Sequence, residues 1–566
     1  MTGRRRAAAG LAPTFSALVL LMAPGVAWAG PDTFGTGAGT TPLSVTTDGV
    51  IVNDYEAIDE DADAGDTTVN VDWGFTFSSG NLVLIIQNTG LATPEPGTPD
   101  PVSLSDTAVG RWELARVTGR NLFRITLSAP LINSYQAGQS QVVQVPEYST
   151  VTVSASGRIT APPFDPDDGT GGIVALLANG AVVLDGGIDA SGLGLPGGAV
   201  VDDPGENLAC QALDEAPSRG AQRGAGHALD AHGAASTGRG NLGAGGGGGV
   251  CLDAGGGGGG HAGVGGKGGT SDASLDGGRD VGGLGGARAS HPSLLRRLTF
   301  GSGGGAGHGN EDGAGAGGRG GGIVFLRAAS ASGSGGCVAN GADGESATGD
   351  GAGGGGAGGS ILVQVESTAT FAGLAALGGL GGGTDVGHGT GGGGGAGRVL
   401  LQSTDPEPPS IFQVGGAPGT GLAGQTYLAQ SGDSAEPDAA PDTGLSTDLD
   451  GDGLQDAQEA SGDSDGDGDD DDEDPDDDGD GVPTRDEGTE EGVAEIARDT
   501  DRDGIRDYLD DDDDGDLLLT RHEDVDGNND PRNDDSDGDG TPDYLAADDA
   551  AGIPPRHEAL QGNGDP

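Results

Sequence analysis

Gly321-Gly322-Ile323-Val324-Phe325-Leu326 restates an earlier phrase of the chain, Gly171-Gly172-Ile173-Val174-Ala175-Leu176-Leu177. Two further apolar runs follow, Ile361-Leu-Val-Gln-Val and Val399-Leu-Leu-Gln, and from Ile323 onward the starts lie 38 residues apart. A second beat trails the first: Ile188-Asp-Ala-Ser-Gly192 matches Cys337-Val-Ala-Asn-Gly341. A single short strand cannot bury its apolar face alone, whereas strands recurring at a near-constant interval can stack into a continuous core. The pattern therefore predicts a β-solenoid-like region over 168–424. Most of the chain's 121 glycines fall there. Glycine tracts by themselves would read as flexible linker. The embedded strands argue instead that Val174, Leu176, Val324 and Leu362 form a narrow core. The glycine loops then either pack backbone to backbone, bundle as polyglycine strands, or stay disordered because ordering glycine costs the most entropy.

Upstream, residues 30–167 read as a β-rich, sandwich-like module. Its runs are Val69–Trp73, Leu82–Gln87, Arg111–Val117, Leu122–Leu127, Val142–Val145 and Val151–Ile159, separated by Gly, Pro, Asn and Ser. Trp73 and Trp112 lie inside strand patterns, so core packing is expected of both in preference to a ligand platform. Residues 1–29 have the form of a secretory signal: Arg4, Arg5 and Arg6, an apolar run from Ala17 to Val26, then Ala27-Trp28-Ala29. The run is too short for a membrane anchor, and nothing downstream is expected to span a bilayer. Export predicts an oxidising environment. Cys210, Cys251 and Cys337 then allow one disulfide and one thiol, with no pairing fixed by spacing and no zinc pattern with His227, His232 or His261.

Beyond a linker at 425–447, the chain becomes acidic. Residues 433–566 hold 50 acids and 7 arginines, −43 of a total formal charge of −63. Such charge excludes nucleic acid as a natural partner, and the segment should repel itself apart until cations neutralise it. The acids are spaced. From Asp463 the first aspartates fall at Asp476, Asp499, Asp512 and Asp535, at intervals of 13, 23, 13 and 23, with an earlier start at Asp448. A 36-residue unit of two unequal halves is a repeat rather than compositional drift.

Each half carries the oxygens of a twelve-residue calcium loop, at positions 1, 3, 5, 9 and 12, with glycine at 6 for the sharp turn. The candidate ligands are Asp448, Asp450, Asp452, Asp456 and Glu459 in the first loop, then Asp463, Asp465 and Asp467. Asp476, Asp478, Asp480 and Glu487 follow, then Asp499, Asp501, Asp503, Asp507 and Asp510. Asp512, Asp514, Asp516 and Glu523 come next, and Asp535, Asp537, Asp539 and Asp543 close the series. Leu517 replaces the glycine in the loop from Asp512, and Ala546 occupies position 12 of the last. Leu454, Val482 and Ile505 after the glycines are hydrophobic anchors that a merely solvating acidic tail would not need. Calcium, several ions in a structural role, is the expected cofactor. A loop ending at Asp474 and another starting at Asp476 leave no room for flanking helices, so these are not EF-hands; the loops should stack and share ions.

Asp499-Thr-Asp-Arg-Asp-Gly-Ile-Arg-Asp-Tyr-Leu-Asp510 and Asp476-Asp-Asp-Gly-Asp-Gly-Val-Pro-Thr-Arg-Asp-Glu487 resemble thrombospondin type 3 repeats over about 448–548. That resemblance implies a chain wrapped on a calcium core with little regular secondary structure; 549–566 is left as a disordered tail. Over 30–405, Pro146-Glu-Tyr-Ser-Thr-Val-Thr-Val, the Gly-Gly-Ile-Val phrase and Leu298-Thr-Phe-Gly-Ser-Gly-Gly-Gly resemble secreted glycine-rich surface proteins of gliding bacteria. Some of these are labelled adventurous gliding motility proteins, and the likeness implies a surface or motility role.

Fold class is thus expected to be all-β. The function expected is a secreted, non-catalytic, calcium-binding surface or matrix protein, with polysaccharide or other surface proteins as partners. The enzymatic alternative is a β-helix lyase or glycosidase with a calcium-binding tail; a third reading is a calcium-sequestering acidic tail. An active site of the enzymatic kind needs paired carboxylates or a basic group beside aromatics. Residues 168–430 hold no tryptophan. Asp185, Asp189 and Arg327 are the candidate acids and base, with solvated turn roles the simpler expectation. Gly263-Val-Gly-Gly-Lys267 lacks the Ser or Thr of a phosphate loop.

Overall fold

The computed structural model describes residues 39–435 apart from 93–95, 98–100, 105–106, 202–219, 229–236, 273–280, 291–293, 295–296, 311–312 and 404–408. In the acidic region it describes 464, 476–487, 498, 500, 506–515, 518–523, 531–534, 536 and 541–546. The signal at 1–29 and the tail at 549–566 lie outside the described residues.

The protein is all-β, and its backbone is a parallel solenoid of two facing sheets. Each coil gives one strand to each sheet. The coils are Leu43–Val45 with Val50–Ile51, Val151–Val153 with Arg158–Thr160, and Ile173–Leu184 with Gly187–Asp189. They continue with Ile323–Ser332 and Gly336–Val338, Ser360–Val365 and Gly373–Ala375, and Arg398–Ser403 and Ser410–Phe412. The repeated phrases pair as their letters predict: Ile173 stands beside Ile323, and Ile188 beside Cys337. The next step is a residue shorter than the spacing of apolar runs, because Ile361 pairs with Val324 and Ile323 with Ser360.

Alternation then assigns the faces. Val174, Leu176, Val324, Leu326, Ile361, Val363, Val399 and Leu401 point between the sheets and pack with Ile159, Ile188, Cys337 and Leu374. Their neighbours Ile173, Ala175, Leu177, Ile323, Phe325, Leu362 and Leu400 point outward yet are also buried. Strands covered on both faces read as continuous hydrophobic runs, as Ile323-Val-Phe-Leu does.

What covers the outer face is the antiparallel module. It projects from the solenoid between the first and second coils, as a six-stranded sheet ordered Tyr55–Ala57, Ser140–Val145, Leu82–Gln87, Trp112–Arg120, Arg124–Leu127, Thr68–Asn70. An antiparallel bridge from Ile58 to Val71 links its two edges, so the sheet curls toward closure around Val69, Phe77, Val83, Ile85, Val117 and Ile125. Leu82, Leu84, Ile86 and Trp112 on the other face pack onto the solenoid. The parallel sheets therefore begin at Leu43, well before the glycine fields at 168. The first two coils carry little glycine and had read as part of the module.

The glycine loops form an ordered bundle. N–H groups three apart along 255–260 bond to the same neighbour: Gly255 and Gly258 to Gly269 and Gly266, Gly256 and Gly259 to Ala352 and Gly355, Gly257 and Gly260 to Gly247 and Ala244. A repeat of three with no ladder partner in a sheet is the signature of extended threefold strands, each bonded to several others. Only glycine fits: a Cβ on Gly256 would lie 2.0 Å from the Gly305 carbonyl oxygen, and one on Gly258 2.0 Å from that of Gly393. Many such bonds offset the entropy that had made disordered loops plausible.

Residues 425–433 belong to this bundle rather than to a linker, since Gly393 donates to the Gln430 carbonyl and Asp433 to that of Val264. His261 is buried there with Nδ1 at 2.8 Å from the Gly358 carbonyl and Nε2 at 2.7 Å from Thr299 Oγ1. Cys251 is disulfide-bonded. Cys337 is a buried free thiol, which burial pushes up to about 12. Among the described residues no helix is long and apolar enough to cross a membrane.

Candidate metal centre

The acidic loops fold by a rule that the ligand spacing does not contain. In each described loop the residue at position 2 donates its backbone N–H to the side chain at position 9. Asp477 bonds Thr484 Oγ1 at 3.0 Å, Thr500 bonds Asp507 Oδ1 at 2.7 Å, Asp513 bonds Thr520 Oγ1 at 3.3 Å, and Ser536 bonds Asp543 Oδ1 at 2.7 Å. Position 9 also starts a short helical turn: Thr484–Glu487, Asp507–Leu509, Thr520–His522 and Asp543–Leu545. Thr500 and Ser536 add hydroxyl bonds at 2.7 and 2.6 Å to the second carboxylate oxygens of Asp507 and Asp543. Those two aspartates, expected as metal ligands, therefore lock their own loops. A carboxylate at position 9 meets a hydroxyl at position 2, and the threonine loops invert the pair.

The inversion frees the aspartate at position 2 of the loop from Asp512. Asp513 joins Asp478, Asp480 and Glu487 of the loop from Asp476 in one buried cluster, their ligand atoms all within 4.8 Å of one another. The three from the first loop sit at positions 3, 5 and 12, as the spacing predicted. Asp513 did not figure among the expected ligands, because position 2 is not a ligand in the twelve-residue grammar. Its only sequence signal was the exact 36-residue echo of Asp477-Asp478 in Asp513-Asp514. The shared ligand also comes from one full unit away, not from the intervening loop at Asp499.

The local turns explain the aim. Gly479 and Gly481 take positive φ of 66° and 98°, turning the chain sharply at positions 4 and 6. Asp480 N–H donates to Asp478 Oδ1 at 3.2 Å and Val482 N–H to Asp480 Oδ1 at 2.7 Å, which leaves one oxygen of each directed into the cluster. Val482 is fully buried beneath the turn, as its place after the glycine had implied.

Six carboxylate oxygens of this cluster, Asp478 Oδ2, Asp480 Oδ2, both of Glu487 and both of Asp513, are buried without a hydrogen-bond partner. Burying ionised carboxylates so is costly unless a cation compensates. Without one the protons must stay. Burial, then the neighbouring aspartates, pushes Asp478 up to about 11; burial first and Asp480 next push Asp513 up to about 10; Glu487 rises for the same reasons. Asp480 is pushed up to about 7, chiefly by burial. An all-oxygen set of six fits a hard divalent cation, and its number matches the six to eight oxygens calcium takes. The residues present therefore fit a metal.

Among the other expected ligands, Asp476 accepts the Gly481 N–H at 3.3 Å and Asp510 that of Asp512 at 3.2 Å. Asp514 and Glu523 are buried in the loop from Asp512. Asp448, Asp450, Asp452, Asp456, Glu459, Asp463, Asp465, Asp467, Asp499, Asp501, Asp503, Asp516, Asp535, Asp537 and Asp539 lie outside the described residues.

The candidate acids and base of the solenoid do not converge. Asp189 pairs with Arg158 at 3.0 Å beside a cleft of about 360 Å3 that Asp48 also lines. Arg327 is buried on the outer sheet face and bonds Gln364 at 2.5 Å. Asp185 accepts from Ser334 at a turn.

The fold and site together define an all-β solenoid carrying a candidate metal centre. No protein-family model and no curated protein matches the chain. Among solved structures, it is similar at 10% identity and a TM-score of 0.15 to the tailspike protein gp49 from Pseudomonas phage LKA1, over 66% of this chain and 52% of that one. The chain thus spans about half the length of the tailspike, and a likeness this slight identifies neither a shared fold nor a shared activity.

Proposed function

We propose that this is a secreted, non-catalytic surface or matrix protein whose acidic segment is ordered by calcium. The observation that carries the reading is the cluster of Asp478, Asp480, Glu487 and Asp513, with six buried carboxylate oxygens converging from two loops a repeat apart. A divalent cation would supply the charge that lets these carboxylates ionise while buried. The chain's own residues do the rest: the locks from position 2 to position 9 set each loop, Asp478 and Asp480 turn inward, and Asp513 ties the loop from Asp512 to the loop from Asp476. Binding energy then becomes folding energy for a segment with almost no apolar interior.

The signal-like start and the disulfide at Cys251 support export, where calcium is plentiful. The likeness to thrombospondin type 3 repeats and to glycine-rich surface proteins of gliding bacteria supports an adhesive or surface role. The rigid solenoid and glycine bundle would present an extended face, with the calcium-stiffened segment as stalk. Calorimetry on the full chain tests this: calcium uptake is expected, and it should weaken at least tenfold in Glu487→Gln. Equal affinity for that variant would remove the cluster as the binding site.

A further inference from the structure

Trp73 does not pack in the core. The residue is 49% exposed, in a turn that also presents Phe75, 49% exposed, at 5.7 Å between ring centroids. Leu122 and Phe123, 40% and 55% exposed, come from the facing hairpin turn. The two turns are fastened together: Gly74 donates to the Leu122 carbonyl and Val71 to that of Phe123, both at 2.9 Å. A Cβ on Gly74 would lie 2.3 Å from the Asn121 carbonyl oxygen, so the two backbones are in direct contact. Glu56 braces the turn from beneath, accepting the Trp73 N–H at 3.0 Å and the Thr76 hydroxyl. The turns that carry the rings are thus fastened before any ligand arrives, which lowers the entropic cost of binding.

The rim of this patch is polar. Arg120 lies over the Phe75 ring at 5.6 Å and bonds Ser78 Oγ at 2.7 Å; Arg124 bonds Asn70 Oδ1 at 2.8 Å. Neither arginine sits in an ion pair among the described residues, in a chain with 89 acids to 26 basic residues. Glu60 stands close by, accepting from the Asn70 amide at 2.6 Å, so the rim offers both donors and acceptors. Guanidinium groups outside any ion pair beside exposed rings match a ligand with apolar faces and oxygen-rich edges. A purely aliphatic partner offers the faces without the edges.

We propose that this patch binds a polysaccharide, with pyranose C–H faces stacked on Trp73 and its neighbouring rings and the hydroxyl or carboxylate edge on Arg120 and Arg124. The proposal rests on the surface-binding half of the proposed function and not on the calcium half, so the two fail separately. Of the two tryptophans among the described residues, Trp73 is the exposed one and Trp112 is buried, so a change in emission that is absent from Trp73→Phe reports contact at the patch. The full chain would be titrated with laminarin as a neutral glucan, in calcium and in chelator, and with alginate as a polyuronate in chelator, since calcium gels that polymer, read by tryptophan fluorescence and calorimetry. Saturable binding of at least one polymer is expected, lost tenfold or more in Trp73→Ala and weakened several-fold in Arg124→Ala, while Trp73→Phe retains part of it. Preference for alginate or laminarin separates the carboxylate edge from the hydroxyl edge. Absence of binding to both polymers, binding unchanged in Trp73→Ala, or uptake onto phosphatidylcholine vesicles in place of the polymers would overturn the proposal. Because Trp73 stands outside the core, an unaltered unfolding midpoint in Trp73→Ala guards against a folding artefact.

Discussion

Replacing Gly256 by alanine tests whether the glycine fields are a packed solid. The added methyl would sit 2.0 Å from the Gly305 carbonyl oxygen and 2.6 Å from its carbon. Ordinary contact needs roughly 3.5 Å, so the strands must part by about 1.5 Å. Neither can yield alone. Gly256 donates to the Ala352 carbonyl and accepts from Gly392, each at 2.9 Å, while Gly305 donates to the Gly257 carbonyl at 2.8 Å. Overpacking costs about 1–3 kcal/mol, and two or three disturbed hydrogen bonds add about 1 kcal/mol each, for a total of about 3–6 kcal/mol. Gly387→Ala is the counterpart: nothing comes nearer than 3.7 Å to its Cβ position and its φ is ordinary, so reduced freedom of the unfolded chain should stabilise by about 0.4–1 kcal/mol. Native-state hydrogen exchange of the bundle amides reads both effects locally. If Gly256→Ala exchanges like Gly387→Ala, the tracts are loose loops and the bundle is wrong.

Three further outcomes follow from the same geometry. Asp513→Asn should lower calcium affinity of the loop from Asp476 at least tenfold, about 1.4 kcal/mol, although the residue lies in another loop; calorimetry of the variant would show it. Acidity should act with opposite sign in the two metal states. In chelator, Asp478 and Asp480 have folded values of about 11 and about 7, above the ordinary 3.8, so the protonated cluster is stabilising below pH ~4 and loses that contribution as pH rises through 7 and toward 11. Protection factors of the Gly481 and Val482 amides, which divide out the pH dependence of intrinsic exchange, should then be higher at pH 5 than at pH 8 in chelator, and lower at pH 5 in calcium, where ionised carboxylates are the ligands. Finally, Cys337 should resist alkylation in the native chain and react once unfolded, because it is buried between the sheets; rapid native labelling would contradict its place in the core.

Much of the solenoid was legible because its signal is repetition. Ile173 and Ile323, or Ile188 and Cys337, declare their pairing by identical phrases, and stacking leaves each strand no other partner. The beginning of the solenoid was hidden because Leu43–Val45 and Val151–Val153 are short and are separated by a whole antiparallel module. Trp73 was misplaced for a related reason: alternation locates a strand but not its end, and the strand stops at Asn70. At the candidate metal centre, spacing within one loop predicted Asp478, Asp480 and Glu487 together. Asp513 escaped because packing between loops, not spacing along one, brings it in. Asp507 and Asp543 have the right residue type at the right position, and a hydroxyl seven residues upstream gives their carboxylates a second task that ligand spacing does not encode.

Calcium binding and the folding of the acidic segment should be one event. Small-angle scattering of the full chain, recorded through a calcium titration alongside calorimetry, measures both together. The account predicts cooperative uptake of more than one ion with a fall in radius of gyration over the same concentration range. Uptake that is weak and graded, with a radius indifferent to calcium and chelator, would contradict it.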